Sequence, residues 1–443
     1  MAVNLGAHFT FRKLLKAILP VVLMQVFVSI YSVVDGFFVS NFVGKTAFAA
    51  VNLIMPVPMI AGSLGFMIGA GGSALVAKTM GEGDKEKANQ LFSMMVFFAI
   101  ILAASVTAIL IPSMPIVAKA LGADEKMLPL CVLYGDILVG GIILFTLQNL
   151  FQTFFMTAQK PMLGFFITVG AGLTNIILDG LLVGVFKMGI AGAAAATVIA
   201  EAIGAGISLI YFIDKKNDSL LHLSWAKLEI KPLLKAVSNG SSEFLTNVSV
   251  SVVNIVYNHQ LMSFFGENGV SAYGVLMYVW MIFAAIFVGY NIASSPIIAY
   301  NYGAKNHGEL HNMFWKSLVF LGVCGVAMFG FAEAMSYPLS MLFTSYDREL
   351  FNLTLHAFII YAIIYLTLGI NMWTSAFFTA LNNGLVSLLV SLARVLVFQL
   401  ISILVLPLIF GAEGLWWAIV VAELLGFLMC ISFLFLFRKK YGY

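Results

Sequence analysis

Long apolar runs recur along the chain from residue 14 onward, each broken only by isolated polar side chains and separated by short polar intervals. A helix needs about 20 apolar residues to cross the hydrocarbon core of a bilayer. The pattern predicts twelve such helices, over 14–42, 47–77, 90–118, 128–157, 162–185, 190–213, 236–264, 270–300, 313–336, 350–380, 384–409 and 414–437. Apolar residues fill these runs in blocks, not at amphipathic spacing, and the strand-length alternation of a β-barrel is absent. The longest polar interval, 214–235, follows the sixth run. It contains LHLSWAKLEIKP, whose alternating apolar residues suggest a short piece lying at the membrane interface. The N-terminus enters the first run without a small-residue cleavage site, so no cleavable signal is expected.

Laid on itself with a shift of 222 residues, the chain repeats. Met55-x-Val57-x-Met59-Ile60 falls on Met277-x-Val279-x-Met281-Ile282, Asn149 on Asn371, Gly189 on Gly411, and Glu201 on Glu423. One gapless offset accounts for all of these. The expected fold is therefore an all-α polytopic membrane protein, two pseudo-symmetric six-helix bundles in a parallel repeat. Residues 1–213 would form one lobe, 214–235 a cytoplasmic linker and 236–443 the other lobe. Six is even, so both halves enter from one side, and their axis runs along the membrane normal. A substrate site is expected between the halves, opened alternately to each side as they rock.

Composition agrees: 61% of residues are hydrophobic and 10% charged, against about 25% charged in soluble proteins. Cys131, Cys324 and Cys430 lie in apolar runs without metal spacing and read as packing residues. Basic residues gather on one set of flanks, at Arg12, Lys13, Lys16, Lys78, Lys85, Lys87, Lys215, Lys216 and Arg438–Lys440. By the positive-inside rule both termini are expected in the cytoplasm, in a multi-pass cell (inner) membrane protein. The intervals GEGDKEKAN (81–89) and GAKNHGELH (303–311) read as equivalent elbows between helices. No phosphate-binding Gly-x-x-x-x-Gly-Lys-Ser/Thr loop is present. Neither a nucleotide, a nucleic acid nor an organic cofactor is expected, and an ion gradient or the substrate's own gradient must supply the energy.

Charge inside the spans is the remaining signal. Asp35 stands in VVDGFFVS, and its counterpart at the offset is Tyr257, so the fold's symmetry does not require it. At 1.5 Å rise per residue Asp35 lies roughly 10 Å below the outer end of its segment. Asp179 and Thr197 fall at a similar depth, with Asp136 at roughly 12 Å. Tyr31 and Asn175 stand one helical turn before Asp35 and Asp179, on the same faces. These six make a candidate cation- or proton-coupling cluster. Two carboxylates there must share protons or be neutralised by a cation, and the Asp, Asn and Thr oxygens of Asp35, Asn175, Asp179 and Thr197 suit Na⁺ as well as H⁺. A static cluster holding helices together is the plainer reading. Glu201, Glu243, Arg394 and Glu423 are left as gate or structural polar residues. Met55, Met59, Met277 and Met281, with Asn149, Asn371 and Tyr257, are the candidates for the wall of a substrate chamber.

In order and spacing, VVDGFFVSNFVG, AKTMGEGDKEKAN with its echo AYNYGAKNHGEL, NIILDG and GAAAATVIAE resemble the multidrug and toxic compound extrusion (MATE) family. The resemblance covers essentially the whole chain and is nearest a bacterial branch of DinF-like and MepA-like proteins. It implies a non-enzymatic, secondary active transporter, a monomer in the bilayer. Such proteins export amphipathic, commonly cationic organic compounds in exchange for H⁺ or Na⁺. It also implies that Asp35, Asn175, Asp179 and Thr197 form the coupling site of the N-terminal lobe. A lipid-linked oligosaccharide flippase of the same superfamily and a membrane-embedded enzyme are the alternatives. The first calls for more basic residues in the cavity than Arg394. The second calls for catalytic His constellations, whereas His259 and His356 stand alone.

Overall fold

The computed structural model describes residues 3–443, the side chain of Lys45 excepted, and among them every regular element is a helix. The N-terminal half comprises α1 (Phe11–Phe42), α2 (Lys45–Ile54), α3 (Pro56–Gly81), α4 (Lys85–Ala120), α5 (Leu128–Gly140), α6 (Ile142–Thr157), α7 (Pro161–Leu178) and α8 (Gly189–Ile213). The long run α9 (Ile230–Gly303) leads into α10 (His307–Thr344), α11 (Arg348–Ala362), α12 (Tyr365–Ala380), α13 (Gly384–Leu392), α14 (Gln399–Phe410) and α15 (Ala412–Tyr441). Among the described residues, nine helices are individually long and apolar enough to span a membrane. Two more spans are bent pairs, α5–α6 at 50° and α11–α12 at 51°. α9 is itself two helices, divided at Gly266 (φ 62°, ψ −149°), a backbone conformation that only glycine adopts without strain. Counting its two parts separately yields the twelve spans expected from the hydrophobic pattern.

The 222-residue repeat is written in the backbone. Gly44 and Gly266 break the chain at equivalent points with φ of 99° and 62°. Gly83 and Lys305 turn the two elbows at 92° and 54°, and Gly189 and Gly411 stand at 63° and 61°. After each elbow the cap is the same: Asp84 accepts from the Lys87 N–H, and Asn306 accepts from the Glu309 N–H. α7 and α13 each pass into a π-helical stretch, Asp179–Val185 and Ala393–Phe398. α9 begins at Ile230, earlier than the hydrophobic pattern indicates. Its first turn tolerates Pro232, because N–H groups there have no intrahelical acceptor. The non-helical linker is thus 214–229. It is tied to the N-terminal half by His222 N–H to Asn89 Oδ1 (2.7 Å), Ser224 N–H to Ser93 Oγ (2.9 Å) and Lys160 to Asp218. That lysine holds the exposed Asp218 carboxyl below its ordinary pKa.

Both termini and both elbows lie at one end of the bundle. Leu5 accepts from Asn301, Tyr441 from Asn383, and residues 8 and 9 are gripped by Glu309 through His8 (2.7 Å) and the Phe9 N–H (2.9 Å). At this end the halves meet backbone to backbone. A Cβ on Gly81 would stand 2.0 Å from the Tyr300 carbonyl oxygen, and one on Gly303 would stand 2.0 Å from that of Lys78. Gly71 and Gly240 repeat the arrangement where α3 crosses the start of α9, and Gly289 meets Val22 of α1. Small residues permit the close helix approach that packing in a membrane relies on. Toward the other end large side chains are left exposed, among them Met59, Tyr278 and Phe37. The halves are sealed at the end that carries the termini.

This seam predicts a conformational shift. Gly81→Val forces a side chain into the Tyr300 backbone and should drive the elbows apart. Double electron–electron resonance between spin labels at positions 86 and 311 should then show a longer distance than in wild type. An unchanged distance would mean that the seam does not depend on close approach here.

Candidate functional site

Two buried polar clusters occupy the halves, and a cavity lies between them. In the C-terminal half the cluster is complete. Arg394, in the π-helical stretch after α13, donates from its guanidinium to Glu423 Oε1 of α15 at 3.2 Å, with both side chains under 10% exposed. Asn371 of α12 donates to the other carboxylate oxygen at 2.7 Å and to the Glu423 carbonyl at 2.9 Å. The acid thus has an opposite charge and an amide donor, which a buried ion pair needs to offset desolvation.

The N-terminal cluster has the opposite character. Asp179 is fully buried and lies beside Asp35 of α1, with no hydrogen bond between the two carboxyls. Asp35 Oδ1, both oxygens of Asp179 and Asn175 Oδ1 are buried and have no hydrogen-bond partner among the described residues. Neither acid forms an ion pair among those residues. Asp179 opens a π-helical stretch, a local widening that is frequent at functional sites. Beside the pair a small cavity of about 20 Å³ is lined by Tyr31, Gln148, Asn175, Thr197 and Glu201. Of the six residues grouped by depth, Tyr31, Asn175 and Thr197 line this cavity, and Asp35 and Asp179 adjoin each other beside it. The sixth, Asp136, is half-buried with an unpartnered Oδ1, and it does not line this cavity. Depth reasoning missed Glu201 and Gln148. Glu201 stands one turn after Thr197, a spacing that was available in the sequence.

The cavity between the halves, of about 100 Å³, is lined from both sides: Phe66, Ala70 and Ser73 of α3 and Thr153 of α6 face Glu243, Thr246, Asn291 and Ile292 of α9, Met372 and Thr379 of α12, and Arg394. None of the seven chamber candidates read from the sequence lines this cavity. Asn371 is held by Glu423, and the buried Tyr257 donates its hydroxyl to the Leu415 carbonyl at 2.9 Å. Asn149 donates to the Phe145 carbonyl. Met59 is 59% exposed. It precedes Phe66 by two turns, roughly 10 Å along the axis, so the repeated methionines lie nearer the open end. Tyr134 donates to the sulfur of Met55, and Met277 and Met281 are half-buried. Glu243 faces the cavity, and the partner of Arg394 is Glu423.

The MatE family model matches the chain twice, over residues 20–181 and 244–405. Among curated proteins the chain is similar to multidrug export protein MepA of Staphylococcus aureus, 23% identical over 434 residues covering 97% of this chain and 94% of that protein. MepA of Staphylococcus saprophyticus is 21% identical over the same coverage. Among solved structures, an outward-facing multidrug resistance MATE family transporter of the MOP superfamily superimposes with a TM-score of 0.91 at 22% identity, covering 99% of each chain. A MOP superfamily transporter from Pyrococcus furiosus, described as having a binding pocket of reverse polarity, superimposes with a TM-score of 0.91 at 21% identity, covering 98% of each.

The C-terminal ion pair leads to a stability prediction. Arg394→Ala leaves Glu423 buried without its cation and should cost about 3–5 kcal/mol. Replacing both residues, Arg394→Met with Glu423→Gln, should recover most of that loss. Chemical unfolding of the purified protein in detergent checks both values.

Proposed function

The chain belongs to the MatE family of transporters, and on that premise we propose that it exports amphipathic organic cations across the cell membrane in exchange for H⁺ or Na⁺. Residues 1–213 and 236–443 act as the two rocking lobes, joined by 214–235. Both termini face the cytoplasm, so the glycine seam closes the cytoplasmic side and this state opens outward.

The choice of a cationic substrate rests on the charge of the central cavity. Arg394 reaches it with its charge already matched by Glu423, whereas Glu243 forms no ion pair among the described residues. The wall is otherwise apolar and hydroxylated, through Phe66, Val288, Ile292, Met372, Ser295 and Thr379. A chamber with one uncompensated acid favours a positive ligand and disfavours the diphosphate headgroup of a lipid-linked sugar. At about 100 Å³ it is smaller than the roughly 300–1,000 Å³ typical of ligand pockets, so it must widen to hold a drug-sized molecule.

The observation that carries the coupling proposal is the set of orphaned oxygens on Asp35, Asp179 and Asn175. Two neighbouring carboxylates, away from water and without a cation, repel each other and lose their solvation. A proton or sodium ion entering the pair removes the repulsion and draws α1 against α7. Its departure lets them separate. Movement of α1 is transmitted to the other half because α1 packs along the second part of α9 at Gly289. Binding of substrate in the central cavity and of the cation in the N-terminal half can then exclude each other, which is what exchange requires.

Purified protein in proteoliposomes, loaded with an amphipathic dye cation, tests this under separately imposed pH and Na⁺ gradients. Asp35→Asn and Asp179→Asn should each reduce gradient-driven dye movement to the level of protein-free vesicles. Both should leave equilibrium dye binding near wild type, because Glu243 is untouched. Wild-type coupling in Asp35→Asn would exclude the acid pair as the coupling site. Loss of dye binding in Glu243→Gln, with folding intact, is the expected counterpart.

A further inference from the structure

Glu201 and Glu423 are equivalent at the repeat offset, and so are Gly204 and Gly426. Over Gly426 lies the stem of Arg394, its Cγ 2.9 Å from where a Cβ would stand, and the guanidinium beyond it neutralises Glu423. Over Gly204 lies a neutral group instead, the amide carbon of Gln148 at 3.0 Å. The α7 residues level with Arg394 are Ala171 and Gly172, which line the small cavity and have no side chain able to reach Glu201. The N-terminal half therefore has the acid of the C-terminal ion pair without its cation, and a cavity beside it.

The cavity is built for a ligand with positive charge. Asn175 is 2% exposed, lines the cavity and has an orphaned Oδ1. The Thr197 hydroxyl gives its proton to the Ala193 carbonyl at 3.1 Å, which leaves its lone pairs free to coordinate. Gln148, 8% exposed, lines the cavity with its amide. About 20 Å³ is room for one particle the size of a water molecule, which needs at least about 10–15 Å³. One carboxylate with several neutral oxygens matches a hard monovalent ion, since divalent sites recruit more carboxylates and transition metals recruit His or Cys. Among the described residues no group of three His, Cys, Asp or Glu converges to hold a metal.

We propose that this cavity is an exchangeable Na⁺ site anchored by Glu201, which shares Asn175 with the Asp35–Asp179 pair but requires neither acid, and where a mobile ion takes the place that Arg394 fills permanently in the other half. This rests on the reading of the N-terminal half as the cation-exchanging half, and it adds a second carboxylate to the transport cycle. The N-terminal half would then release its ion at Glu201 as well as relieve the acid pair, whereas the C-terminal half keeps its charge throughout.

Binding of radioactive sodium to the full-length purified protein tests the proposal independently of transport. Glu201→Gln should weaken saturable binding about tenfold or more, a change of about 1.4 kcal/mol or above. Gln148→Arg, which sets a tethered guanidinium over Gly204, should abolish binding while the protein stays folded, and it serves if Glu201→Gln proves unstable. Asp35→Asn with Asp179→Asn should retain a Glu201-dependent sodium site. Unchanged sodium affinity in both Glu201→Gln and Gln148→Arg overturns the proposal. So does sodium binding that disappears with the acid pair alone, and that result leaves the coupling reading intact. Absence of saturable sodium binding in wild type overturns it as well, whichever ion drives export.

Discussion

Buried negative charge without a fixed partner is the constraint around which this molecule is arranged. An unpaired carboxylate in a low-dielectric interior is costly, and a folded protein retains one only where something else supplies the compensation. At Glu423 the C-terminal half resolves the problem internally, with Arg394 and Asn371 closing on the carboxylate. The N-terminal half leaves Asp35, Asp179 and Glu201 without a basic residue in salt-bridge contact among the described residues. Its compensation has to come from outside the chain. Two bundles of like architecture thus differ in how their equivalent acids are balanced, and the proposal that ion exchange belongs to the N-terminal one rests on that difference.

The geometry around the acids makes their charge mechanically relevant. Asp35 belongs to α1, a continuous helix that contains Pro20, and Asp179 begins the π-helical part of the α7 span. Both positions are places where a helix can bend or rewind at little cost in hydrogen bonding. The glycine seam works at the other end. Its backbone contacts tolerate no side chain at Gly81, Gly303, Gly71 or Gly240, so the halves are either in contact there or parted. α1 packs on α9 at Gly289, the contact through which the proposed rearrangement of α1 against α7 would reach that seam.

Much of the architecture was legible from the chain. Twelve spans follow from apolar run length, and the repeat follows from paired polar and glycine positions, because backbone breaks such as Gly44 and Gly266 impose the same requirement in each half. Depth along a helix brings Asp35 and Asp179 to one level, and in the structure the two acids are neighbours. What was not legible depends on contacts between distant segments. Arg394 and Glu423 are ion-pair partners across two helices, and no local spacing announces it. The symmetric methionines 55, 59, 277 and 281 look like a chamber wall, but symmetry reports equivalence of position and not the direction of a helix face. Glu201 reads as structural because Glu423 matches it. Its different setting arises from Gly172 and Gln148, residues without charge of their own. The π-helical turns at Asp179 and Ala393 have no signature in residue type.

Infrared difference spectroscopy of the purified protein during stepwise acidification tests the central claim most directly, because it observes the buried carboxyl groups themselves. The account predicts a carbonyl band from a protonated, water-excluded carboxyl that grows as pH falls and is missing from the Asp35→Asn, Asp179→Asn double variant. A band of the same intensity in that variant and in wild type would contradict it, and would place the exchangeable charge elsewhere in the molecule.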